Sequence, residues 1–263
     1  MIMTVFDVCA GIGGFSLGLE QTGFFKTVAF CEKNNFCKQV LKKHWKSVPI
    51  YNDLKEIGND TTTIKEKFDV IVCGLPCQPF SLAGKQKGKK DSRYLWDYLF
   101  SIIKQKKPTW FIIENTPNFI NVALDDVCSH LETQDYSTQS FIIPACSVGT
   151  HHKRDRVWVI GKLMGNTTGY GWRKGNTSKK EGNIIRESKA RGVFQFKRTG
   201  TLRDKFRLDQ WISKSRVRGV VDGIPSRVDR NRLSALGNAV IPQIIFNLGL
   251  IIKTIVKEEK RYD

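Results

Sequence analysis

The sequence predicts an α/β fold built on a doubly wound, largely parallel sheet, and three observations carry that expectation. Over residues 1–161, short apolar runs of strand character alternate with stretches of helical spacing. A glycine-rich turn, Asp7-Val8-Cys9-Ala10-Gly11-Ile12-Gly13-Gly14-Phe15, joins the first run to the first helical stretch. The run Phe68-Asp69-Val70-Ile71-Val72-Cys73 has the β-branched, continuous apolar character of a buried parallel strand. It ends in a Pro-bracketed loop, Gly74-Leu75-Pro76-Cys77-Gln78-Pro79-Phe80-Ser81. Loops at the C-terminal ends of such strands are where open α/β sheets bind and transform ligands.

Taken in order, residues 4–9 read as a strand, 13–21 as a helix, 26–31 as a strand and 36–44 as a helix. Residues 68–73 are the third clear strand, 91–104 a helix, 109–114 a strand and 122–133 a helix. Residues 136–144 and 156–161 form a late strand pair. The composition then changes. Residues 162–221 hold 16 basic against four acidic residues, with Trp172, Phe194, Phe196, Phe206 and Trp211 interleaved. That is the pattern of a phosphate-contacting surface rather than of a solvated linker. A final helix over 234–257, with Leu236, Val240, Ile244, Ile245, Leu248 and Ile252 on its apolar stripe, is expected to pack back onto the first lobe. The division is therefore a catalytic and cofactor-binding part over 1–161, a basic region over 162–229 and a returning segment over 230–263. No internal repeat is visible.

A length of 263 residues suffices for one good core and a smaller lobe. The formal net charge of +18 points to a polyanionic partner, nucleic acid before anionic membrane. Seven cysteines, all within the first 150 residues and none in a Cys-x-x-Cys pair, support neither a zinc ribbon nor a thioredoxin-type site. They fit a reducing compartment. The N-terminus enters a strand without a basic segment and cleavage site. The late apolar stretch 241–256, interrupted by Gln243, Asn247 and Lys253, reads as too short and polar to span a bilayer. A cytoplasmic protein is expected.

Two ends of a ligand crevice can be placed. The glycines permit close approach of a ligand, and the following helix offers free N–H groups. The spacing Gly-x-Gly-Gly misses the dinucleotide fingerprint Gly-x-Gly-x-x-Gly. Glu32 closes the second strand about twenty residues on, suited to accepting two ribose hydroxyls. Asp53 is suited to accepting from an adenine amine. At the other end Cys77 is a candidate nucleophile. A free thiol is only a few per cent thiolate at neutral pH, so it needs activation. The cluster His151-His152-Lys153-Arg154-Asp155-Arg156 could supply it electrostatically. Glu114, followed by Asn115, ends the strand Trp110-Phe111-Ile112-Ile113 on the same sheet edge as Cys77.

These pieces, in this order, resemble those of the DNA cytosine-5 methyltransferases. The resemblance rests on the Gly-rich turn over 7–15, the Pro-Cys-Gln loop over 74–81, Glu114-Asn115-Thr116, Arg154-Asp155-Arg156 and Gly237-Asn238-Ala239-Val240-Ile241-Pro242, and it spans almost the whole chain. It implies a Rossmann-like sheet dependent on S-adenosyl-L-methionine, with 162–229 as a small basic target recognition lobe. It implies that Cys77 attacks C6 of a cytosine flipped out of duplex DNA. Glu114 would engage N3 and the exocyclic amine, while Arg154 and Arg156 orient the base. Cofactor contacts are implied for Asp7, Ala10, Gly11, Gly13, Gly14, Phe15, Glu32, Asp53, Leu54, Gly74, Asn238 and Ala239. Substrate contacts are implied for Pro76, Gln78, Ser81 and Asn115. No metal is expected.

The chain departs from the family pattern at three positions. Cys9 stands where an aromatic is common, His152 where Gln is common, and Thr116 where Val is usual. The stretch 220–230 resembles small phage and restriction–modification enzymes. That setting implies a bacterial or phage-infected cell, a monomer, and a cognate endonuclease acting separately. Two alternatives stay open: a tRNA cytosine-5 methyltransferase and a non-catalytic DNA-binding relative.

Overall fold

The structure is a computed structural model that describes residues 1–76, 95–150, 154–164, 185–187, 194–196 and 226–261. Its strands are β1 (Met3–Val8), β2 (Phe25–Cys31), β3 (Ile50–Tyr51), β4 (Val70–Gly74), β5 (Trp110–Asn115), β6 (Tyr136–Pro144), β7 (Asp155–Leu163), β8 (Ile185–Glu187) and β9 (Phe194–Phe196). The helices are α1 (Gly14–Glu20), α2 (Asn35–His44), α3 (Leu54–Asn59), α4 (Trp96–Lys106), α5 (Phe119–Val122), α6 (Leu124–Glu132), α7 (Ser226–Asn238) and α8 (Pro242–Glu259). Among the described residues one sheet runs β3-β2-β1-β4-β5-β7-β6-β9-β8. The first five of these strands are mutually parallel, and β7 enters antiparallel between β5 and β6. This is the doubly wound, Rossmann-like sheet that the alternation predicts, with strand order reversing across β1 and β4.

Side chains alternate across the sheet with the period of two that strands impose. On β1, Phe6 and Val8 enter one core layer with Ile71, Cys73, Phe111 and Ile113. That layer is closed by Leu54 and Ile57 of α3, Trp96, Leu99, Ile102 and Ile103 of α4, and Leu124, Val127 and Leu131 of α6. Val5, Val70, Val72, Trp110, Ile112 and Trp158 enter the opposite layer, closed by Phe15 and Leu19 of α1 and Ile244, Ile245, Leu248 and Ile252 of α8. The two ends of the chain therefore share one layer.

Four expectations change. Residues 50–59 contain β3 and α3, which are too short to show periodicity; Asp53 caps α3 by accepting from Lys55 N at 3.0 Å. The helix expected over 122–133 is α6 (Leu124–Glu132), while Val122 instead closes the short α5; between them Ala123, with φ −142°, leaves the helical region. The long terminal helix is two helices, because Pro242 carries no N–H and forces Ile241 into an extended conformation (φ −82°, ψ 111°). Leu236, assigned to the apolar stripe, is 64% exposed, whereas Ile244, Ile245, Leu248 and Ile252 are buried. Ser234–Glu259 is long and apolar enough by composition alone to cross a bilayer, but it is interrupted at 239–241 and its buried stripe is occupied by α1 and the sheet, so it is not a membrane signal, in line with the sequence reading of 241–256. The expected helix start at 91–94 and most of 162–225 lie outside the described residues.

Candidate active site

The turn after β1 is built from three left-handed residues, Cys9 (φ 53°), Gly11 (φ 56°) and Gly13 (φ 86°). Gly13 is required twice over: a Cβ there would lie 2.7 Å from the Trp45 ring. The turn aims Gly11 N–H at Glu32 Oε2, 2.7 Å away, and Glu32 Oε1 accepts from Asn34 N at 2.7 Å. The carboxylate is thus oriented by two backbone donors with lone pairs to spare. Asp53 lies next to it, paired with Lys33 Nζ at 2.7 Å, and that cation with the Lys55 N–H holds its carboxyl below the usual range against partial burial. Gly14 supports packing, since a Cβ there would meet the Val240 carbonyl at 2.7 Å. Phe15 is buried with its ring edge-on to Trp158. Asp7 does not reach the crevice. It shares the face of Val5 and lies beneath α1, where Ser16 N and Oγ donate to its Oδ2 at 3.2 and 2.8 Å. Complete burial pushes this carboxyl up to about 8.

At the other end, β4 and β5 run in register with Gly74 opposite Glu114. The missing side chain of Gly74 leaves the Glu114 Oε2 atom 3.9 Å from where a Cβ would stand. Glu114 is 8% exposed, and its Oε1 receives Arg156 Nε at 2.9 Å. Burial raises its pKa, and Arg156 and Arg154 oppose that rise without cancelling it. Asn115 is buried and not in the cavity wall: its Nδ2 donates to Leu75 O at 3.4 Å, tying β5 to the loop that leads into Pro76. Cys77, Gln78 and Ser81 lie outside the described residues, as do His151, His152 and Lys153. Arg154 donates to the carbonyls of Gly237 and Ala239 at 2.7 and 2.9 Å.

One cavity of about 540 Å³ joins these ends. Ala10, Gly11, Phe15, Glu32, Asp53 and Leu54 line it on one side, and Gly74, Pro76, Glu114, Arg154 and Arg156 on the other, with Asn238 and Ala239 closing the wall. Its volume suits a ligand of nucleoside size or larger. Among the described residues no group of three His, Cys, Asp or Glu is placed to hold a metal ion. The sequence reading did not include Phe36, on the first turn of α2, or Asn231, Ser234 and Ala235, which also line the cavity. The last three share a face with Asn238 at helical spacing, a signal hidden by starting that helix at 234 rather than at Ser226.

Comparison with known proteins fits this geometry. The type II methyltransferase M.HhaI of Haemophilus parahaemolyticus is 32% identical over 163 residues, covering 59% of this chain and 47% of its own length. M2.BsuMI of Bacillus subtilis is 33% identical over 171 residues, covering 62% and 42%. The chain thus spans about half or less of the length of these curated relatives. Among solved structures, the DNMT2 of Spodoptera frugiperda aligns with a TM-score of 0.52 at 22% identity, over 66% of this chain and 53% of that one. The Entamoeba histolytica methyltransferase EhMeth aligns with a TM-score of 0.53 at 19% identity, over 63% and 54%. Identities this low speak to the fold alone. The family model of the C-5 cytosine-specific DNA methylases matches residues 3–218, from the start of β1 into the basic region, and the chain belongs to that family.

Proposed function

We propose that this chain transfers a methyl group from S-adenosyl-L-methionine to C5 of a cytosine in a specific duplex DNA site, by base flipping and covalent catalysis. The observation that carries the reading is Glu114. It is a buried carboxyl with a raised pKa at a strand end, gripped by Arg156 and facing a cavity whose far end holds Glu32. Such a group retains a proton nearer neutrality and can donate it to a ring nitrogen.

The residues at the far end fit the cofactor. Glu32 is oriented to accept from a ribose diol, and a Cβ at Gly11 would meet nothing within 4 Å, so the backbone there borders open space. Ala10, Asp53 and Leu54 would hold the adenine side, and Asn238 and Ala239 the opposite wall. When bound, the cofactor supplies a methyl group on a positively charged sulfur. Cys77, next after Pro76, would attack C6 as the thiolate while Glu114 protonates or hydrogen-bonds N3, so that electron density gathers at C5. After C5 has taken the methyl group, its proton leaves to a base and the C6–S bond breaks, returning Cys77. Arg156 holds Glu114 in place throughout. Residues 162–229 would serve as the target recognition region on duplex DNA. The names of the curated relatives support a restriction–modification setting, in which a separate endonuclease cuts the unmethylated site.

The test is transfer of labelled methyl groups to duplex DNA and, in parallel, to tRNA. Transfer to DNA is expected; transfer to tRNA alone would replace the substrate in this reading, and transfer to neither would favour a non-catalytic relative. Cys77→Ser is expected to lose turnover while retaining DNA binding, and trapping on 5-fluorocytosine DNA should require Cys77. Bisulfite sequencing of DNA from an expressing host would read the target site directly.

A further inference from the structure

We infer that Arg154 is a positioning residue for the cofactor end of the cavity, acting through the peptide carbonyls of Gly237 and Ala239, and is not primarily a contact to the target base. The inference rests on the reading proposed above and assigns Arg154 a different task from its neighbour Arg156.

The two arginines stand two residues apart at the start of β7 and both charges bear on Glu114, yet their guanidinium hydrogen bonds go to different partners. Arg156 Nε pairs with Glu114 Oε1 at 2.9 Å. Arg154 instead directs its two terminal nitrogens to Gly237 O at 2.7 Å and Ala239 O at 2.9 Å. Those carbonyls flank Asn238, the last residue of α7. Carbonyls at and just past a helix C-terminus, as those of Gly237 and Ala239 are, have no intrahelical partner and lie at the negative end of the helix dipole, so a planar two-pronged cation matches them. The segment they belong to is held from a second side as well. The Val240 carbonyl lies 2.7 Å from where a Gly14 side chain would begin, so this stretch rests directly on the first turn of α1.

Asn238, Ala239 and Val240 all line the cavity. α7 and α8 join here, and the backbone between them is non-helical at 239–241. Such a junction keeps only isolated turn hydrogen bonds, Ala239 N to Leu236 O among them, so its conformation depends on outside partners as well. Arg154 and the packing of Val240 on Gly14 are among them. Removing the guanidinium leaves the wall beside the Gly-rich turn under-determined. Lysine at this position offers a single charged centre where arginine spans two acceptors.

Direct titration of S-adenosylhomocysteine into the full chain without DNA, by calorimetry, separates the assignments. Arg154→Ala is expected to weaken this binding about tenfold or more, since two hydrogen bonds from a charged donor are lost. In methyl transfer it should raise KM for the methyl donor by a larger factor than it lowers kcat, whereas Arg156→Lys should do the reverse. Arg154→Lys should recover part of the affinity, and both variants are to be compared by thermal melting. If Arg154→Ala does not fold, the lysine variant decides the matter alone. Arg156→Lys should bind S-adenosylhomocysteine as wild type does and lose kcat. Wild-type affinity in both Arg154 variants, with the loss confined to kcat or to base trapping, would overturn the inference. Failure of the wild-type chain to bind S-adenosylhomocysteine would instead remove the methyltransferase reading on which the inference stands.

Discussion

Asp7 and Glu114 are both carboxyls at the middle or end of buried strands, and burial raises both, but only Glu114 has cationic partners and a cavity in front of it. At Asp7 the consequence is for stability. Its pKa in the folded chain, about 8, lies above the ordinary 3.8, so folding takes up a proton between those values. The stabilisation from this group is complete below the unfolded pKa and is lost as pH rises toward 8. Asp7→Asn keeps an acceptor for Ser16 and cannot ionise. Its melting temperature should match wild type near pH 4 and exceed it by on the order of 5–10 °C at pH 8.5, each pKa unit being worth about 1.4 kcal/mol. Parallel melting curves across that range would show that Asp7 does not titrate as its burial implies. Strand alternation explains why Asp7 could be singled out from sequence but its direction could not: one residue of register separates the cavity end of β1 from the underside of α1. Glu32 and Glu114 were legible because each terminates a parallel strand, where direction matters less than position.

At the level of elements, the contact that fixes the C-terminal segment is between α1 and α8. It is made by small residues that let backbones approach. A Cβ on Gly18 would lie 2.4 Å from Pro242 O and 2.7 Å from Ile245 Cβ. Alanine is favoured over glycine inside a helix by about 1 kcal/mol, but here the new methyl meets backbone on a helix held by Ile244, Ile245, Leu248 and Ile252. Overpacking of this kind costs about 1–3 kcal/mol, and the clash should win. Gly18→Ala is expected to lower stability in denaturant titrations, whereas Gly237→Ala, which meets nothing within 4 Å, should match wild type or exceed it slightly. Equal effects would mean that α1 and α8 are not closely joined. The same contact explains what the sequence showed of this region. Its buried stripe from Ile244 to Ile252 was readable as helical periodicity. The break before it was not, because Pro242 permits a helix to start as readily as it interrupts one. Residues 50–59 were unreadable for a different reason, since a two-residue strand and a six-residue helix carry no period.

For the whole molecule the governing quantity is charge. Of the formal +18, a net +12 falls in residues 162–221, and the aromatics among them argue for a surface that meets bases or sugars as well as phosphates. The described part of the chain supplies the cavity but little of this positive field. In the proposed reading the two functions would be separable along the chain: chemistry over 1–161 with the returning 230–263, and duplex binding between them. Flipping a base costs a few kcal/mol, and under the proposed function the basic region would supply much of that through phosphate contacts. Each phosphate neutralised releases condensed counterions, so the logarithm of affinity should fall with the logarithm of salt by about 0.9 per contact. Fluorescence anisotropy on a duplex, with salt raised from 50 to 300 mM, is expected to give a slope of about −4 or steeper. Replacing Lys197 and Arg198 by alanine should reduce that slope by up to about two and leave S-adenosylhomocysteine affinity unchanged. A flat salt response in the wild-type chain would place the DNA elsewhere on the molecule, and a flat difference in the variant would excuse those two residues while leaving the rest of the basic region in question.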